Sequence, residues 1–233
     1  DLNGFNSLYK LILLANLLFD TALDLDKIKL MGIKGITSYD LIYAAELGYE
    51  IKLITSIKKT ANNLYLGVRP NLIKNNSFLA AVNENSNAVE IFSKLNAKTT
   101  FKAENNDLAF ANLLSLDLIK AAEFIAKKKN SISFSKRKTK FEVSDLYTSQ
   151  KNYFYIRLQL EKNDEIIEKI KKIFSAKNIA DLILHDNLTE TPLLPVIIMT
   201  KKIKEKDLEK LLEEVEKLEG VLTVNNIIPV KTD

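Results

Sequence analysis

Residues 152–184 read NYFYIRLQLEKNDEIIEKIKKIFSAKNIADLIL. Tyr153–Leu160 alternates in the manner of a strand. Asp164–Ala176 places Ile166, Ile167, Ile170, Ile173 and Phe174 at helical spacing, and Ile179–Leu184 reads as a second strand. Downstream, Leu194–Thr200 is a third strand. Glu205–Leu218 is a helix with Leu208, Leu211, Leu212, Val215 and Leu218 on one stripe, closed by Gly220, and Val221–Val230 is a fourth strand. The order βαββαβ within one short segment is the ferredoxin-like pattern.

Upstream of this unit, residues 127–140 read KKKNSISFSKRKTK, seven basic residues and no acid. Phosphate contacts need such clusters, but Phe134 is the one ring available for stacking. The stretch joins two patterned regions, so a solvated linker is the favoured reading and a nucleic-acid partner is not. Before it, Asp107–Lys127 reads as a long helix. Phe78–Val82 and Ala88–Leu95 read as strands. Tyr49–Ile57 and Leu64–Val68 read as a hairpin around Lys58–Asn63, ended by Pro70. Thr37 or Ser38 caps a helix over Tyr39–Leu47, stopped by Gly48. Phe5–Phe19 is a helix apolar almost all round, expected to be buried on most faces. Lys10 is its one charge and Asn6 lies one turn earlier on the same face. From the residues alone, Lys10 either snorkels to the surface or aims its charge into a cleft.

The 233 residues allow one large domain or two ordinary ones. A hydrophobic share of 46% supports a packed core. The chain has no cysteine, which excludes disulfides, thiolate metal sites and a Cys nucleophile, and leans toward a reducing, cytoplasmic setting. The single histidine, His185, excludes a multi-His metal site, and no metal is expected. The net charge of +4 is too small to imply nucleic acid. No stretch reaches the roughly 18 apolar residues of a membrane span. No signal peptide is expected, and because the first residue is Asp rather than Met the sequence is expected to belong to a longer chain.

Three segments carry a resemblance: Asp1–Lys10 (DLNGFNSLYK), Gly35–Ile54 (GITSYDLIYAAELGYEIKLI) and Val68–Val89 (VRPNLIKNNSFLAAVNENSNAV). In order and spacing they resemble the catalytic and dimerisation domain of homoserine dehydrogenase, and the βαββαβ tail resembles the ACT regulatory domain of bacterial members. The resemblance implies an α+β fold: a mixed-sheet catalytic/dimerisation domain over 1–128, a basic linker over 129–150, and a ferredoxin-like ACT domain over 151–233. It implies NAD(P)-dependent interconversion of homoserine and aspartate semialdehyde, toward threonine and methionine. A homodimer or larger homo-oligomer is also implied, formed in part by hairpin strands within Gly35–Leu95 and by pairing of the Tyr153–Leu160 strand between copies. The cofactor domain would lie upstream, so this chain alone is expected to be inactive. The family's proton donor is a lysine on the first helix, and Lys10 occupies that position. Asn6 stands where the family carries an aspartate that holds the substrate and the lysine.

The sequence also departs from that pattern. An amide at Asn6 keeps hydrogen bonding but brings no charge. Lys94–Asp107 (KLNAKTTFKAENND) has neither glycine nor proline where the family has a glycine-rich loop beside cofactor and substrate. Glu165 stands where ACT effector sites often have glycine, which favours a packing role for that unit over amino-acid binding. These departures keep a second reading open: a diverged, non-catalytic relative acting as an oligomerisation or regulatory module.

Overall fold

The structure is a computed structural model. It describes residues 2–23, 25, 28–83, 85–95, 97–104, 106–126, 141–148, 150–185 and 193–231. In chain order the elements are α1 (Phe5–Phe19), α2 (Ser38–Glu46), β1 (Tyr49–Lys59), β2 (Asn63–Lys74), β3 (Ser86–Ser93), β4 (Ala97–Glu104), α3 (Asp107–Ala126), β5 (Glu142–Asp145) and β6 (Lys151–Glu161). They continue with α4 (Asp164–Asn178), β7 (Ile179–Leu184), β8 (Leu193–Thr200), β9 (Ile203–Lys204), α5 (Glu205–Val215) and β10 (Val221–Val230). The basic stretch at 127–140 lies outside the described residues. Contacts group Asp1–Asn75 with Lys138–Asp233, and Asn76–Arg137 separately. That grouping follows a different line from the division at 128 and 151 expected along the chain. Glu142–Asp145, within the expected linker, pairs in parallel with β2.

The βαββαβ order is present as read. Its strands lie side by side as β10-β6-β8-β7, each neighbour antiparallel. Alternation along β6 sends Phe154, Ile156, Leu158 and Leu160 to one face. There they meet Ile166, Ile170 and Phe174 of α4 and Leu208, Leu212 and Val215 of α5. Asn163 caps α4, its side chain accepting from the Glu165 amide at 2.9 Å. The opposite face of the sheet is covered by α2, where Tyr43 and Ala44 pack on Tyr155, Ile197 and Ile228. Because β6 has β10 on one side and β8 on the other, it cannot pair with a second copy. The edge position falls to β7. A single parallel step, Val230 opposite Leu72, joins this sheet to β2 and β1.

Four local expectations change. Pro70 lies inside β2 rather than ending it. It falls between the β5 pairing, which stops at Leu66, and the β10 pairing at Leu72, where no named strand borders that side and a missing N–H costs little. Residues 78–82 form successive turns, not a strand, with Ala80 N–H reaching both the carbonyl and hydroxyl of Ser77. Such local bonds compete with a ladder. Ala97–Glu104, read as an altered loop, is a strand paired with β3, and Ala97 itself takes the positive φ (50°) of the turn. Finally, α1 buries one stripe only, Leu8, Leu11 and Ala15. Leu13, Leu17 and Leu18 are exposed.

Candidate functional site

Helix α1 starts at Gly4, whose φ of 82° is left-handed, and its Leu8 N–H bonds the Gly4 carbonyl at 3.0 Å. It ends at Asp20, also left-handed. Just beyond, the Asn16 side chain accepts from the Thr21 hydroxyl and the Leu23 amide, each at 3.0 Å. The buried stripe sits on Leu64, Leu66 and Val68 of β2. With that face occupied, Asn6 and Lys10 are left together on the exposed side, one turn apart. An open recess of about 450 Å³ lies at the same end of the helix, lined by Leu2, Asn3, Phe5, Leu30, Met31, Gly32, Lys34 and Gly35. Phe5 and Tyr9 stack beside it with ring centroids 6.3 Å apart. Lys10 and Asn6 are therefore brought together, but neither lines the recess.

A buried charge cluster, legible in the sequence only in its parts, is linked to the recess-lining Gly35 through Asn226. Asp40 is the third residue of α2 and is fully buried. Its carboxylate accepts from Arg157 Nε at 2.7 Å and Nη2 at 3.2 Å. It also accepts from the Thr37 amide at 2.9 Å, the Thr37 hydroxyl at 2.8 Å and Asn226 Nδ2 at 2.7 Å. Burial pushes the Asp40 carboxyl up, but the hydrogen bonds from Arg157 and Thr37 outweigh it and hold the group below its ordinary value. Burial, with the Asp40 charge beside it, pushes Tyr155 up, and that hydroxyl donates to Asp40 at 3.4 Å. Two signals were available. Thr37 and Asp40 have the T-x-x-D spacing of a reciprocal helix cap, and Arg157 is a lone charge inside an otherwise buried strand that needs a buried partner.

A second cluster ties β2 to α5. Arg69 is buried, with Nη1 2.9 Å from Glu205 and Nη2 3.7 Å from Asp145, and its guanidinium lies 4.2 Å from the Tyr147 ring. Burial pushes the Tyr147 phenol up. The Asp40 cluster ties α2 to β6 and β10, whereas in the Arg69 cluster Arg69 Nε and Nη2 and Glu205 Oε2 are buried without a hydrogen-bond partner among the described residues.

Gly32 and Gly35 are spaced loosely like a phosphate loop, but a β-carbon at Gly32 would overlap the Leu2 carbonyl. That glycine admits neighbouring chain, not a ligand. Among the described residues no three His, Asp or Glu side chains converge as a metal group, and no helix is long and apolar enough to cross a membrane. In the βαββαβ unit the Glu165 amide, in the first turn of α4, is already taken by the Asn163 side chain.

Residues 1–110 match the homoserine dehydrogenase family. The chain is 26% identical to the homoserine dehydrogenase of Bacillus subtilis (strain 168), over 99% of this chain and 54% of that protein. It is 27% identical to that of Helicobacter pylori, over 98% and 54%. In structure it is similar to a homoserine dehydrogenase from Thiobacillus denitrificans, with a TM-score of 0.79 at 21% identity, over 99% of this chain and 54% of that one. The chain thus spans about half the length of the curated relatives it matches. With its first 110 residues matching the family model and a like fold running through to its last strand, this chain is similar to the homoserine dehydrogenases in sequence and in fold.

Proposed function

We propose that this chain is the substrate-handling and βαββαβ part of a homoserine dehydrogenase, an NAD(P)-dependent oxidoreductase of threonine and methionine biosynthesis in the cytoplasm. The observation that carries the reading is the alignment of nearly the whole chain with these enzymes, together with the exposed pairing of Asn6 and Lys10 on α1. Reduction of an aldehyde leaves charge developing on its oxygen. The Lys10 ammonium would donate a proton there, and Asn6 would hold the substrate by hydrogen bonds without adding charge. The dinucleotide would be held by a part of the protein outside this chain, which alone would be inactive.

The test is Lys10→Ala in the full-length protein. Turnover should fall by roughly 10²–10⁴-fold, with homoserine binding less affected, because the interaction matters most as charge develops. Unchanged turnover removes Lys10 from the reaction. A second reading, a non-catalytic relative, is favoured by β4. The stretch that would be a glycine-rich loop is instead a paired strand. Absence of turnover in both wild type and Asn6→Asp, with the cofactor still bound, would select it.

The βαββαβ unit is proposed to be an ACT domain used for packing. The protein is proposed to be a homodimer or larger, because α3 buries none of its side chains and leaves Leu108, Phe110, Leu118 and Ile125 exposed within this chain. Light scattering at micromolar concentration should report at least twice the chain mass, and a monomer would count against it.

A further inference from the structure

We propose that Asn226 is a positioning residue for the first turn of α1. Two carbonyls bracket the loop that holds this turn. At one end, the Met31 amide donates to the Val68 carbonyl on β2 at 2.8 Å. At the other, the Gly35 carbonyl accepts from Asn226 Nδ2 of β10 at 3.0 Å. Between them, the Ile33 amide donates to the Leu2 carbonyl at 2.8 Å, and the Ile36 amide turns back to the Ile33 carbonyl at 3.0 Å. Gly32 lies so close to the backbone of Leu2 and Asn3 that no side chain fits there. The chain entering α1 is thus held from the loop, and the N-cap Gly4 has no side chain to do it.

What makes Asn226 a firm anchor is its second bond. The same Nδ2 donates to Asp40 at 2.7 Å, so both of its protons are committed. Asp40 is itself fixed from β6 by the two-pronged contact of Arg157. A strand at the far end of the sequence therefore sets where α1 begins, and with it where Asn6 and Lys10 stand. The purpose of this positioning rests on the proposed role of Lys10; the positioning does not.

Amide hydrogen exchange on the whole 233-residue chain tests it. In Asn226→Ala, the amides of Ile33, Ile36 and Leu8 should exchange roughly tenfold faster, as expected for losing bonds to a charged group and a carbonyl. Amides paired between β6 and β8 should keep the wild-type rate. Asn225→Ala, the exposed neighbour, should change none of them. Uniform acceleration overturns the proposal, because Asn226 would then merely hold the fold together. Unchanged Ile33 and Leu8 rates overturn it as well. If Asn226→Ala does not fold, Asn226→Ser, which keeps a donor but cannot span both acceptors, is judged by the same criteria. A selective response alongside normal turnover of Lys10→Ala would leave the positioning standing and remove its catalytic purpose.

Discussion

Asp40 is where one residue's chemistry bears most on the fold. Its carboxyl is held below the ordinary value of 3.8 in the folded protein, because the bonds from Arg157 and Thr37 outweigh the cost of burial. A depressed carboxyl stabilises the fold fully above its unfolded pKa, and the contribution is lost as pH falls through the lower, folded one. Asp40→Asn leaves Arg157 buried without its counter-charge, a change that costs about 3–5 kcal/mol in buried pairs. Urea unfolding at pH 7 should show that deficit. Below pH 3.8 the gap to wild type should begin to narrow, because the unfolded chain takes up the proton first, and it should close only as pH falls through the lower, folded value. Equal deficits at pH 7 and pH 3 would show that the loss comes from packing rather than charge.

At the scale of the element, α1 separates hydrophobicity from burial. Leu11 is 0% exposed and Leu17 77%, although the two leucines read alike along the chain. Leu11→Ala should cost about 2–5 kcal/mol, since it leaves a cavity against β2. Leu17→Ala should stay within about 0.5 kcal/mol. Denaturant titration of the two variants decides it, and similar losses would mean that the exposed stripe is covered in solution. In α4 the Ile166, Ile170 and Phe174 stripe appears as expected, and the structure adds the Asn163 cap and an acidic first turn. The helix is nonetheless interrupted at Ser175 (φ 53°, ψ 155°). No glycine or proline announces that break.

Across the molecule, two buried ion pairs and one apolar interface join residues 1–75 to the βαββαβ unit. Asp40 meets Arg157, Arg69 meets Glu205, and Tyr43 and Leu72 pack among Tyr155, Ile197 and Ile228. The unit is built into the fold rather than attached to it. Ending the chain at Gln150 would strand Asp40 and Arg69 without these partners and uncover the apolar face of α2. Such a fragment should show no cooperative thermal transition by circular dichroism, whereas the whole chain should. A sharp melt of the fragment would show that the first half folds alone.

Period and punctuation settled which elements form. Alternation in Tyr153–Leu160, the helical stripes of α4 and α5, and Gly220 at φ 87° define the βαββαβ order without reference to distant residues, because each signal is local. The pairing of Lys10 with Asn6 was legible for the same reason, as i and i+4 share a helix face. What faces what was not legible. That β6 lies inside the sheet, that α2 closes its open face, and that Arg157, Asn226 and Asp40 meet are relations between residues more than 30 positions apart. Local pattern says that a buried arginine needs an acid. Only the packing of α2 on the sheet decided that the acid is Asp40, because the cost of a buried charge is relieved by whichever partner the tertiary fold brings within hydrogen-bond reach.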